Sequence, residues 1–186
     1  VACAARDPAI ATATPWGNAG ETASWPRVGE VMPVPDEPAR LARAAASLPP
    51  HHPELPAAVN HAVFLRGSAR QRAGGLDAAS YASWHAALVD LSLRMAGLGW
   101  RNVLCETAFV ARGGEGMPLG DDVDTLAARW PTWHARLAQF LMQDPLHTLR
   151  AALGHAYDNA ELRTQPDLFT VDAAGDDAAS DDEATP

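Results

Sequence analysis

Residues 88–114, LVDLSLRMAGLGWRNVLCETAFVARGG, decide how the rest of the chain is read. Leu88, Leu91, Met95 and Leu98 recur at helical spacing and predict a short helix with one buried stripe. Asp90 and Arg94 fall one turn apart on that helix with the acid first, the favourable order for a surface pair. Gly97 and Gly99 end it, Gly99 in the left-handed stop position. After two turn residues, Val103, Leu104 and Cys105 read as a short buried strand. Phe109 and Val110 form a second apolar step, and Gly113-Gly114 closes the run as a loop.

On the N-terminal side, residues 1–6 read as the last turns of a helix, stopped by Asp7-Pro8 because a proline pushes its predecessor out of the helical region. Residues 10–14 alternate β-branched residues with alanine and predict a strand. Pro15-Trp16-Gly17-Asn18 reads as a turn, followed by an irregular loop. Asp36, Glu37 and Pro38 open a helix whose stripe is Leu41, Ala45 and Leu48, ended by Pro49-Pro50. Residues 57–65 predict a strand buried in a central sheet, and 67–73 a short helical step into Gly74-Gly75-Leu76-Asp77. On the C-terminal side, Asp121 is the expected cap of a helix over 123–129. Further helices are expected over 133–142 and 146–162, the last opened by Asp144-Pro145.

The chain has 186 residues, enough for one domain with a sizeable core. All fourteen basic residues are arginine, and the formal charge is −9. Six acids (Asp172, Asp176, Asp177, Asp181, Asp182 and Glu183) fall in the last fifteen residues, leaving about −3 for the rest. The expected division is therefore a domain over 1–163 and an acidic, disordered tail over 164–186. Docking of that tail on a basic partner is an alternative to simple solvation. A weakly acidic body without a basic stripe argues against nucleic acid as a partner. Cys3 and Cys105 are far apart and show no C-x-x-C spacing, which suits a reducing compartment. No apolar run approaches the roughly 20 residues of a membrane span, and the cytoplasm is the expected location.

A helix with D-L-S-L-R, then A-G-L-G-W-R-N-V-L, an acid, A-F-V and a glycine pair resembles the acceptor half of family-two glycosyltransferases of the GT-A fold. Those enzymes commonly read E-D/E-x-D-F/L-x-L-R-x-x-x-x-G-W/Y-R, a strand, then V-x-H-x-G-G. The similarity continues through residues 10–18 (IATATPWGN), 56–66 (PAAVNHAVFLR), 74–77 (GGLD) and 130–150. It implies part of a mixed, mostly parallel sheet flanked by helices, with a helical C-terminal segment. It also implies sugar transfer from a nucleotide-diphosphate donor to a saccharide acceptor, as in polysaccharide biosynthesis. Since the chain opens at Val1 as a helix already running into a strand, the nucleotide-binding part is expected upstream in the same polypeptide.

Such transfer needs a divalent cation on the departing diphosphate, a general base for the acceptor hydroxyl, and loops that align the two substrates. The family's paired acids fall on Ala87 and Leu88, which accept no proton. Asp90 matches the pattern's next aspartate and is the candidate catalytic residue; its alternative is a structural acid paired with Arg94. The resemblance assigns substrate contacts to Gly74, Gly75, Asp77, Trp84, His85, Arg94 and Arg112. Glycines let backbone approach a sugar, and an indole offers a sugar platform; a plain turn and ordinary burial are the alternatives. Arg112 stands where the family has a histidine, and a guanidinium contacts phosphate instead of coordinating a cation. The only Asp-x-Asp, Asp122-Val123-Asp124, opens a helix, where acids favour the positive end, and is not taken as a metal motif. No cofactor is evident, and Mg or Mn is expected only if the upstream part carries an Asp-x-Asp. His51-His52 reads as solvated loop and His61 as a satisfied core histidine. No Gly-x-Ser-x-Gly, phosphate-cradling loop or zinc spacing competes. A catalytically degenerate relative kept as a structural or partner-binding module is the second reading.

Overall fold

The segment IATATPWG forms β1 (Ile10–Gly17), and all eight residues are buried, as befits a strand with a neighbour on each edge. The computed structural model describes residues 2–59, 61–113 and 119–162, of which Glu161 and Leu162 are described by backbone alone. Expectations for Val1, Gly114 and the tail from 164, its docking included, lie outside the described residues. β1 pairs in parallel with β3 (Arg101–Val110) and antiparallel with β2 (Phe64–Leu65), in the order β2-β1-β3. The fold is thus α/β with a small mixed sheet, one parallel pair and one antiparallel, where a mostly parallel sheet was expected.

Three strand expectations change, each for a pairing reason. The turn expected at Pro15–Asn18 is strand as far as Gly17, because Trp16 and Gly17 still pair with Phe109 and Val110. Proline is accommodated by an irregularity between Pro15 and Trp16, the kind of site to which strand prolines are confined. The two apolar steps of β3 are one strand whose register jumps from Cys105 to Phe109, so Glu106, Thr107 and Ala108 bulge from the ladder. Of the strand expected over 57–65, only Phe64 and Leu65 pair. The buried turn before it finds side-chain acceptors instead: Ala58 N–H donates to Ser92 Oγ at 3.1 Å and Val59 N–H to Thr14 Oγ1 at 3.3 Å.

Consecutive strand residues point to opposite faces. On the face of Leu104, α2 (Pro38–Ala46) and α7 (His147–Leu162) bury Leu41, Ala44, Ala45 and Leu153 with Trp16. On the face of Val103, α1 (Ala2–Arg6) packs Cys3 and Ala4 against Ile10 and Ala13. Beyond α1, among the described residues, that face carries an apolar trough of about 430 Å³ lined by Pro15, Ala62, Phe64, Cys105, Ala108 and Val110.

α3 (Gly67–Arg72) leads towards α4 (Trp84–Gly97), the predicted organising helix. Ser83 caps α4 by accepting from Ala86 N–H, and Gly99 at φ 90° ends it, with Trp100 N–H returning to the Met95 carbonyl. The expected single stripe is too narrow. Leu91 and Met95 pack with Ala11 and Ala69, while Ala86, Val89 and Leu93 pack with Leu126 and Trp133. Helices α5 (Asp122–Arg129) and α6 (Trp133–Gln143) cover that second side, so α4 is buried nearly all round. No helix among the described residues is long and apolar enough to cross a membrane.

Candidate functional site

Asp90 stands on α4 with none of its surface exposed, and its two oxygens divide the work of holding three segments together. Oδ2 accepts from Arg94 Nε at 2.8 Å, the expected pair across one helical turn. The rest of that guanidinium reaches the glycine turn: Nη2 donates to the Gly75 carbonyl at 2.7 Å and Nη1 to that of Ala73. Gly74 and Gly75 take φ +86° and +76°, a conformation L side chains rarely adopt, and this turns both carbonyls towards Arg94. Oδ1 accepts from Trp130 Nε1 at 2.9 Å and, more distantly, from the Tyr81 hydroxyl at 3.4 Å, with Arg129 Nε 3.3 Å away. Arg129 continues to Asp77 at 2.9 Å, and Asp77 also accepts from Ser80 N–H.

Five of the residues singled out in the sequence (Gly74, Gly75, Asp77, Asp90 and Arg94) therefore meet in one network. Tyr81, Arg129 and Trp130 complete it and were not anticipated, because they come from outside the helix–strand pattern. Two carboxylates and two guanidinium groups balance in charge. Hydrogen bonds from Ser80 and Arg129 hold the Asp77 carboxyl below its usual range. Burial, then the neighbouring Asp90, pushes the Tyr81 phenol up. As a catalytic acid or base Asp90 would need an oxygen open to the acceptor. In this geometry both are enclosed and committed, which is the arrangement of an anchor. Ala87 and Leu88, at the family's base positions, are core residues with 6% and 0% exposure.

Trp84 lies apart from that network, and His85 follows it in the first turn of α4, half-buried. Six residues turn a side chain roughly 240° around a helix, so Trp84 does not stand over Asp90. Its indole is half exposed, at 49%, beside the junction of α4 and α5. That junction is built on Asp122, whose carboxylate accepts from Ala82 N–H, Ser83 N–H and Leu119 N–H at 2.8, 2.9 and 3.1 Å. Burial raises its pKa, but these bonds outweigh it and hold the group below the usual range. Asp122, not Asp121, thus organises the start of α5; no side chain caps it from position 121. Asp121, Val123 and Asp124 are exposed around it, so Asp122-Val123-Asp124 does not converge on one point.

Arg112 is placed by a third cluster, at the C-terminal ends of β1 and β3. The Asn18 carboxamide accepts from Arg112 N–H at 2.8 Å and donates to the Arg112 and Met32 carbonyls at 3.0 and 2.8 Å. His61 packs here, and not on a strand: a Cβ on Gly17 or Gly20 would come within 2.8 or 3.1 Å of its ring. Both ring nitrogens are buried without a hydrogen-bond partner among the described residues, so the satisfied core histidine was the wrong expectation. Burial lowers its pKa to about 4 against the opposing pull of the Trp16 and Pro15 carbonyls, with Arg112 adding a smaller push in the same direction as burial. His51-His52 is loop, as expected, with His51 exposed, but it is tied to the core. Both backbone N–H groups donate to the fully buried Glu106, and His52 Nδ1 lies 3.4 Å from the same carboxylate. Among the described residues no three His, Cys, Asp or Glu side chains gather as a metal ion would require.

The chain thus carries an enclosed anchor at Asp90, an open indole at Trp84 and an arginine at the strand ends. Compared with protein-family models, curated proteins and solved structures, it matches none.

Proposed function

We propose that this chain is the acceptor-side portion of a family-two glycosyltransferase domain, serving sugar transfer from a nucleotide-diphosphate sugar to a saccharide. The observation that carries the reading is the meeting of Gly74, Gly75, Asp77, Asp90 and Arg94 in one network. The resemblance picks out those residues, and they are contributed by a loop and a helix up to twenty positions apart. In this reading Asp90 and Arg94 are positioning residues that set the glycine turn against α4. Trp84 is the acceptor platform, its indole face stacking on a sugar ring while Asp121 and Asp124 accept hydroxyl hydrogen bonds. Arg112 serves the donor phosphates from the strand ends. The donor half, with any divalent cation, belongs to another part of the domain, and the open trough offers it an apolar surface to pack on.

The test is a titration of the chain with oligosaccharides, followed through the Trp84 indole N–H resonance, and with uridine and thymidine diphosphate sugars by calorimetry. Weak saccharide binding that Trp84→Ala removes is expected, together with negligible heat from the nucleotide sugars. Tight nucleotide-sugar binding, or no saccharide response, overturns the reading.

Ala87 and Leu88 favour a second reading, a catalytically degenerate module with a structural role, since both base positions are filled by core side chains. Vigorous sugar transfer by the unmodified full-length protein ends it.

A further inference from the structure

Cys3 and Cys105 are separated by about half the chain, yet the fold draws them to one face of the sheet. The end of α1 is pinned at the start of the strands. Asp7 meets Arg101 Nη1 at 2.9 Å, and Arg66 Nη2 donates to the Asp7 carbonyl at 2.9 Å and to that of Ala4. Arg66 is itself held to β1, its backbone N–H donating to the Ala11 carbonyl at 2.8 Å. With its last turn fixed there, α1 lies over Ile10, Ala13 and Val103 and buries Cys3 among them. Cys105 follows Val103 by two residues, so its side chain emerges on the same face and packs against the same cluster. Cys3 is 4% exposed, whereas Cys105 also lines the open trough. Both thiols are free.

We propose that Cys3 and Cys105 form a redox-responsive thiol pair, which closes to a disulfide when a small disulfide oxidant enters the trough. The Cys105 thiolate attacks one sulfur of the oxidant, forming a mixed disulfide and releasing one thiolate. The Cys3 thiolate then displaces the second, leaving a Cys3–Cys105 bond. Two protons leave the protein thiols, and the oxidant takes up two electrons as it becomes two thiols. Burial, opposed by the Thr107 hydroxyl, keeps the Cys105 thiol above its usual range, so the first step accelerates as pH rises. The closed form staples α1 across the sheet face beside the trough.

The experiment incubates the folded chain with oxidised glutathione at pH 8, quenches with acid and maps the cysteines by mass spectrometry. Expected is a Cys3–Cys105 cross-linked peptide, with the mixed disulfide on Cys105 only transient. In Cys3→Ser the mixed disulfide accumulates instead. The oxidised chain melts at a higher temperature than the reduced one, and a dithiol reductant reverses the shift. A mixed disulfide at Cys105 that persists in the unmodified chain overturns the proposal. So does an intermolecular Cys105 dimer, or a folded chain in which neither thiol reacts although both react in denaturant.

Discussion

The network around Asp90 and the exit of β1 are both buried and polar, and they are finished to different degrees. At Asp90 hydrogen bonds from Arg94, Trp130 and Tyr81 converge on one carboxylate with Arg129 in ion-pair range, and the guanidinium groups continue to backbone carbonyls and Asp77. At the exit of β1, Trp16 Nε1, Thr22 Oγ1, both nitrogens of His61 and Arg150 Nη2 are buried without a partner among the described residues. Arg150 is nonetheless well anchored there. It donates to Ser24 O at 2.8 Å, grips Asp144 at 2.6 and 2.7 Å, and stands 5.4 Å over the Trp16 ring. A buried polar group is inexpensive only when it is hydrogen-bonded, and each one left over costs about 1–3 kcal/mol. The difference separates a part of the molecule that specifies the fold from a part held at some energetic cost. The residue that looked most catalytic in the sequence belongs to the first.

The comparison breaks most decisively at Asp90. Asp90→Ala leaves two guanidinium groups facing a void, and loss of one member of a buried pair costs about 3–5 kcal/mol. Arg129 is 41% exposed and recovers part of its solvation, so a loss near 3 kcal/mol in urea unfolding is expected. A loss below 1 kcal/mol means that the network is not an anchor.

The exit of β1 is probed by pH. His61 binds a proton less readily in the folded chain than when unfolded, since its pKa falls from 6.5 to about 4. The folded state is therefore favoured fully above pH 6.5, loses stability as pH falls towards 4, and levels off below. At about 1.36 kcal/mol for each pKa unit the full loss is on the order of 3 kcal/mol. His61→Gln flattens this slope in urea titrations between pH 7 and 4; an unchanged slope assigns it to other groups.

A smaller effect comes from the glycine turn. Gly75→Ala forces a side chain into φ +76°, where an L residue costs about 1–2 kcal/mol. Destabilisation of that size is expected, whereas wild-type stability indicates that the turn relaxes and releases Arg94. Trp84→Ala should move stability least, by about 0.5 kcal/mol or less, because the indole is half in solvent. Its effect belongs to saccharide binding, so a large drop in melting temperature removes Trp84 as an open platform.

Much of this was legible along the chain. The helix α4, its stop at Gly99 and the strand returning through Val103 follow from local spacing and glycine stereochemistry, whereas the cap at Ser83 and the second buried side of α4 were not read there. The Asp90–Arg94 pair was readable for the same reason, being one helical turn. Elsewhere the pattern misled. Residues 57–65 are apolar and β-prone, yet most do not pair, because the hydroxyls of Ser92 and Thr14 satisfy their backbone from distant positions. Pro15 suggested a turn, but the long β3 opposite carries β1 two residues past it.

Propensity, periodicity and capping act over a few residues, so the elements and the α/β class could be read before any contact was known. Burial, charge balance and neighbourhood depend on which remote segments touch. Only the folded chain could decide that Asp90 is sealed beneath Trp130 and Arg129, that Glu106 holds the two histidine amides, and that two cysteines separated by about half the chain share one face of its sheet.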